Sequence, residues 1–192
     1  RRPPLLASPS WQPARIMRTT DGGSTWQSTA ISTGAAAMRD IAVYDTNKVW
    51  ASGNTGNVVY SGDGGINFAS QPSTGSARSI FFLDSLNGWV GHTTMQRTND
   101  GGNTWQNATV GIGGIARGIA FTSMTDGWAT RYLRSSVYRS FDGGHNWTVG
   151  TDFNVLYSPT AVNLRNLDVV DSLVAFVSGV MTPPGSHAQA FV

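Results

Sequence analysis

Four times along its 192 residues the chain repeats one short pattern, Ser/Thr-x-Asp-Gly-Gly-x-Thr/Asn-Trp/Phe. It runs over Thr19–Trp26, Ser61–Phe68, Thr98–Trp105 and Ser140–Trp147, so Asp21, Asp63, Asp100 and Asp142 are spaced by 42, 37 and 42 residues. A motif that returns at this interval marks a structural unit, and roughly 40 to 50 residues is the size of one four-stranded antiparallel sheet in a radial array. Few other architectures tolerate such a period.

A second pattern sits between the boxes. Arg39, Arg78, Arg117 and Arg165 each begin an apolar segment, and 11 residues after each arginine comes Trp50, Trp89, Trp128 or Phe176. The turn between them is rich in Asp, Asn, Ser and Gly, as in Asp84-Ser85-Leu86-Asn87-Gly88. The unit therefore reads as four strands: an apolar inner strand buried on both faces, its aromatic hairpin partner, a strand leading into the box, and an outer strand leaving it. In the box, Asp accepts hydrogen bonds from turn amides and the glycines allow positive φ. Trp26, Phe68, Trp105 and Trp147 then plug the apolar space beneath the turn. One such sheet cannot cover both its faces, so neighbours lean on one another around a ring. The expected fold is an all-β propeller with about four blades represented, wholly or in part. Residues 1–14 read as an N-terminal extension or the remnant of a preceding blade, and residues 15–192 as blades of an incomplete ring belonging to a longer polypeptide. A four-bladed ring closed by pairing both ends is the alternative.

Composition agrees. Charged residues are only 12% of the chain, Gly numbers 23, all 11 acidic residues are Asp, and Lys48 is the only lysine, so strong helix formers are scarce. The net charge is +2 and the arginines are spread out, which argues against a nucleic-acid stripe. With no Cys, thiol chemistry and disulfides are excluded. No apolar run reaches the roughly 18 residues a membrane-spanning helix needs.

On its four boxes the chain resembles the BNR/Asp-box β-propellers. The order arginine, apolar strand, Gly-Trp, box is most similar to the photosystem II stability/assembly factor family, over Ala77-Arg78-Ser79-Ile80-Phe81-Phe82-Leu83-Asp84 and Gly88-Trp89-Val90-Gly91. The second box departs from the pattern at Ile66-Asn67-Phe68. The resemblance implies a ring of seven blades, a protein client met by an arginine patch, and an extracytoplasmic location such as the thylakoid lumen or periplasm. Sialidases, sortilin-type receptors and xyloglucan hydrolases carry the same box, which therefore specifies fold better than function.

For chemistry, the box aspartates read as scaffold, each consumed by its own turn and set apart on the outer rim; Asp-Gly-Gly lacks the oxygen run of a calcium loop. Without Glu there is no Tyr/Glu nucleophile pair of the sialidase kind. An Asp-based glycosidase stays open, although Asp45, Asp84 and Asp171 recur at one turn position and read as turn formers. His92, His145 and His187 share no ligand spacing, so neither metal nor cofactor is expected. Asn107-Ala108-Thr109 and Asn146-Trp147-Thr148 match the glycosylation pattern. The candidate partner-binding residues are Arg39, Arg78, Arg117 and Arg165, which should ring one mouth of a central channel. They read either as guanidinium forks for an acidic or carboxylate-bearing protein partner or as structural ion pairs. Arg18, Arg97 and Arg139 should cover the outer rim. The expected function is a non-enzymatic scaffold or assembly module; the alternatives are a glycan-binding or glycan-cleaving propeller and a structural subunit of a large assembly.

Overall fold

The computed structural model describes residues 13–32, 37–53, 58–72, 76–91, 94–108, 111–131, 135–157, 161–182, 184 and 189–191. They form five antiparallel sheets. The first holds β1 (Arg15–Arg18) and β2 (Gln27–Ala30), and the second β3 (Met38–Val43), β4 (Val49–Gly53), β5 (Val58–Ser61) and β6 (Ala69–Gln71). The third holds β7 (Ser79–Phe82), β8 (Gly88–Gly91), β9 (Gln96–Thr98) and β10 (Gln106–Asn107). The fourth holds β11 (Ala116–Phe121), β12 (Gly127–Arg131), β13 (Ser136–Ser140) and β14 (Thr148–Asp152). The fifth holds β15 (Ala161–Val169), β16 (Ala175–Thr182) and β17 (Gln189–Phe191). Every sheet is a meander in which sequence neighbours pair. The inner strands β3, β7, β11 and β15 lie side by side in chain order. Sheets that meet along their inner strands and fan outward are blades of a β-propeller.

The core lies between blades. Trp50, Val58, Ile80, Phe82 and Val90 fill the space between the second and third sheets, and Trp89, Ile119, Phe121 and Trp147 that between the third and fourth. Trp50 and Trp89 are 1% and 2% exposed; burying a ring of that size stabilises by on the order of 5 kcal/mol before entropy. Trp50 stacks on Phe82 at 3.8 Å, and Phe82 meets Trp105 edge-on at 6.2 Å. The next interface repeats the set, with Trp89 on Phe121 at 3.6 Å and Phe121 edge-on to Trp147 at 5.7 Å. Each set joins the aromatic of one blade to the inner strand and box of the next.

The four boxes share one hydrogen-bond circuit. Thr19, Ser61, Thr98 and Ser140 each donate Oγ–H to the box aspartate at 2.7–2.9 Å and accept from the second glycine's N–H at 2.8–2.9 Å. Each aspartate also accepts from the residue four on: the backbone N–H of Thr25, Asn67, Thr104 and Asn146 at 2.9 Å, and their side chains at 2.6–2.8 Å, with Asp63 accepting further from Ile66 N–H at 3.1 Å. The glycine after each aspartate has φ between 70 and 74°, a conformation that glycine adopts without the Cβ clash. The Thr25 hydroxyl and amide hold Asp21 down to about 2, and the Thr104 hydroxyl and amide do the same for Asp100. At Asp63 the Asn67 amide is foremost and the carboxyl again falls to about 2. Burial works against the shift at Asp142, and the Asn146 bonds outweigh it.

Three expectations need correction. The inner strands are not all buried on both faces: β7 and β11 are, whereas Ile41 and Val43 of β3 are 48% and 64% exposed. No inner strand precedes β3 among the described residues, so one of its faces has nothing to lean on. The box aromatics do not all plug their turns. Trp147 is 5% and Trp26 57% exposed, with Phe68 and Trp105 between, because Trp105 and Trp147 meet an inner-strand phenylalanine of their own blade and the first sheet shows, among the described residues, β1 and β2 alone. The boxes of the second, third and fourth sheets join the two outermost strands and also reach the neighbouring blade. The carbonyls of Gly64, Gly101 and Gly143 accept from Arg18 Nη1 at 2.9 Å, Trp50 Nε1 at 3.0 Å and Trp89 Nε1 at 2.8 Å. The second, third and fourth boxes are thus each a fastener to the blade before them. Arg139 is no rim cover; it pairs with Asp126 at 2.5 Å and lies 3.6 Å over Trp128. A single helical turn, α1 (Phe153–Leu156), capped by Asp152 accepting from Asn154 N–H, links β14 to β15. Of the N-terminal extension or remnant expected at residues 1–14, all but Pro13 and Ala14 lie outside the described residues.

Candidate functional site

The inner strands converge on a cleft of about 570 Å³ lined by Arg39, Asp40, Arg78, Arg117, Ile119, Asn166, Asp168 and Phe176. Three of the four candidate arginines meet there, each from a different blade. Arg165 is exposed but does not line the cleft; its neighbour Asn166 does.

The backbone explains how the arginines are aimed. In β3 the pairing register shifts between Met38 and Asp40, in β11 between Ala116 and Gly118, and in β15 between Leu164 and Asn166. The arginine is in each case the extra residue of a β-bulge, a feature that bends the strand and redirects a side chain. Arg78 lies one residue ahead of β7 and donates its N–H to the Gly91 carbonyl at 2.9 Å. Arg78 and Arg117 are half-buried, Arg39 exposed.

The residue after the arginine stitches blade to blade. Asp40 accepts from Ile80 N–H of the next inner strand at 3.0 Å and from its own neighbour Ile41 N–H at 2.9 Å. Ser79 Oγ reaches the Ala116 carbonyl at 3.4 Å in the corresponding place. Burial pushes the Asp40 carboxyl above the usual carboxylate range, against those two amide bonds. Asp168 accepts from Val169 N–H at 2.9 Å. Three guanidiniums against two carboxylates leave the cleft positive, with Ile119 and the 62% exposed Phe176 as apolar wall. Such a surface suits a carboxylate-bearing chain with apolar side groups.

The remaining candidates are placed as follows. Asp45, Asp84 and Asp171 each accept two turn amides at 2.7–2.8 Å. Asn146 donates its side-chain N–H to Asp142 at 2.7 Å, and the Asn107 side chain accepts from Gln96 at 2.9 Å. Thr109, His92 and His187 lie outside the described residues. Among the described residues no group of three His or Asp is placed to hold a metal ion, and no helix is long and apolar enough to cross a membrane. Sequence reading missed Asp40, since a lone Asp after an arginine has no local signature; the bulge could have been suspected from the polar Arg-Asp pair interrupting an apolar strand.

No protein-family model matches the sequence, and no curated protein matches it. Solved structures do. YCF48 bound to D1 peptide aligns at a TM-score of 0.62 and 19% identity, over 90% of this chain and 58% of that one. YCF48 from Cyanidioschyzon merolae aligns at 0.62 and 16%, over 83% and 57%. Virginiamycin B lyase from Staphylococcus aureus aligns at 0.68 and 10%, over 92% and 62%. The chain thus spans less than two thirds of the length of these three proteins. At such identities the likeness is one of fold, the β-propeller.

Proposed function

We propose that this chain is a non-enzymatic β-propeller module that binds an acidic protein segment in the cleft of Arg39, Arg78 and Arg117, in the manner of an assembly factor. One observation carries the reading: three successive blades deliver an arginine to one cleft. The YCF48 structure with a D1 peptide supports a protein client, and the photosystem II assembly role and extracytoplasmic location belong to the same proposal. The second reading is a glycoside hydrolase, favoured by Asp40 and Asp168 lining one cleft with the Asp40 carboxyl raised, and by likeness to an ancestral GH74 enzyme at 18% identity. Against it, both Asp40 oxygens are committed to backbone amides, which leaves no proton positioned for a leaving group.

The test is the Arg78→Ala/Arg117→Ala double variant, titrated with fluorescent Asp- and Glu-rich peptides against neutral peptides of the same length. Acidic-peptide affinity should fall by about tenfold or more while the melting temperature stays near that of the parent. A large drop in melting temperature with unchanged affinity would make the arginines structural. Oligosaccharide hydrolysis abolished by Asp40→Asn would favour the glycosidase.

A further inference from the structure

The two outer strands of the second sheet carry a recess of about 370 Å³, lined by Tyr60, Gly62, Asp63, Asn67, Phe68 and Ala69. It shares no residue with the arginine cleft. The other sheets show what opens it. Residues directly opposite on an antiparallel pair share one face of the sheet, and one such pair recurs beside every box. It is Arg18 opposite Gln27 in the first sheet, Arg97 opposite Gln106 in the third, and Arg139 opposite Thr148 in the fourth. In the second sheet it is Tyr60 opposite Ala69.

Three sheets therefore set a long cation against a polar side chain where the second sets a ring against a methyl group. Two further departures point the same way. Gly62 stands where the other boxes have Thr20, Asn99 and Phe141, and Phe68 where they have Trp. A Cβ at Gly62 would come 3.1 Å from the Tyr60 hydroxyl, so a larger residue there would press on the ring. Each of the four exchanges gives up bulk, charge or polarity, and all four positions line the recess.

What the second sheet lacks defines what the recess can take. In the fourth sheet the Arg139 guanidinium lies 4.9 Å over the Phe141 ring and pairs with Asp126. In the first, Arg18 Nη2 donates to Gln27 Oε1 at 2.9 Å. The second sheet offers an aromatic face and an anion at this position, but no guanidinium of its own. Tyr60 is half-buried, its ring seated 5.0 Å from that of Trp50. Asp63 is exposed, and the Asn67 amide foremost holds its carboxyl down to about 2, so it is charged at neutral pH. Its Oδ2 accepts from Asn67 Nδ2 at 2.8 Å, which leaves that oxygen capacity for a second donor. No lysine or arginine lines the recess, and Arg18 across the box is committed to the Gly64 carbonyl and Gln27. An anion beside an aromatic face complements a cation brought from outside. Ile66, 56% exposed where the other boxes have Ser24, Asn103 and His145, adds an apolar contact in the same turn.

We propose that this recess is a docking site for an arginine side chain of a partner protein, its alkyl stem over Ala69 and the Tyr60 ring and its guanidinium at the Asp63 carboxylate. The chain then carries two sites of opposite preference. The cleft takes an acidic segment, and the second sheet takes a basic one.

The experiment titrates the chain with a fluorescent Ala-Arg-Ala-Arg-Ala peptide and with the same peptide carrying citrulline, which keeps the shape of arginine and loses its charge. The arginine peptide should bind more tightly by about tenfold or more. Ala69→Gln fills the recess with the residue type of the first and third sheets, and Tyr60→Arg restores their cation. Each should lower the affinity for the arginine peptide by about tenfold, with a melting temperature near that of the parent. If Tyr60→Arg loosens the packing on Trp50 and the melting temperature falls, Ala69→Gln decides alone. The cleft variant Arg78→Ala/Arg117→Ala should bind the arginine peptide no less tightly than the parent, which separates this site from the acidic-segment reading. The proposal fails if the citrulline peptide binds equally well, or if Ala69→Gln leaves the affinity unchanged. It also fails if the cleft variant abolishes binding, which would place the peptide elsewhere.

Discussion

Trp89 lies flat on Phe121, ring centroids 3.6 Å apart and planes 9° from parallel, while its Nε1–H reaches past that ring to the Gly143 carbonyl at 2.8 Å. One side chain thus supplies both the apolar and the polar contact between two blades. Trp89→Phe keeps most of the stack and removes the donor. It should cost about 1–3 kcal/mol, because the Gly143 carbonyl is left without that partner; equilibrium urea unfolding measures it. Trp89→Ala should cost about 3–5 kcal/mol. Equal losses for the two variants would mean that the hydrogen bond contributes nothing.

The box glycines should differ in sensitivity according to what a Cβ meets. Gly22 and Gly143 share positive φ, 70 and 74°, yet a Cβ at Gly22 finds nothing within 4 Å, whereas at Gly143 it comes 2.6 Å from the Met124 carbonyl oxygen. Gly22→Ala should lose only the conformational term, about 1–2 kcal/mol. Gly143→Ala adds a backbone clash and should lose more. Matched denaturation curves give the comparison directly.

Acid should act on the boxes late. Asp21, Asp63 and Asp100 sit at about 2 in the folded chain, against about 3.9 in an unfolded one. A depressed folded pKa gives stability that is present above the unfolded value and is lost as pH falls through the folded one. The loss should therefore begin below about pH 4 and be complete near pH 2. Asp63→Asn, which cannot ionise, should flatten part of that fall in a series of melting temperatures from pH 2 to 5.

Asp40 runs the other way. Its carboxyl is raised by burial, so its ionisation opposes folding; the favourable state is complete below the unfolded pKa and is lost as pH rises through the higher folded one. Asp40→Asn keeps an oxygen for Ile80 N–H and removes a negative charge from the cleft. Its melting temperature relative to the parent should improve as pH rises from 3 to 7, and acidic peptides should bind it more tightly at pH 7. A stability difference between the two that is independent of pH would remove the titration from the account.

The blade plan was legible because its signals are local: the box spans eight residues, and the arginine-to-aromatic interval of 11 fits one hairpin. What joins the blades was not. Trp50 and the Gly101 carbonyl are 51 residues apart, Trp89 and the Gly143 carbonyl 54, and no short pattern marks them as partners. The same blindness left the boxes without their contacts to the preceding blade and buried Trp26, whose turn is built like the others but lacks an inner-strand phenylalanine to cover it. Three of the four arginines did fall on one cleft; Arg165 did not, and its neighbour Asn166 lines the cleft in its place.

Because the second, third and fourth boxes each grip the blade before them, stiffness passes along this chain from neighbour to neighbour and not through a shared centre. The second and third sheets, each gripped on both sides, should be the slowest to open. Loss of order should start in the first and fifth sheets and travel inward like a zip, so that the outermost strands set the chain's tolerance to proteolysis while the Trp50 and Trp89 contacts set its overall lifetime.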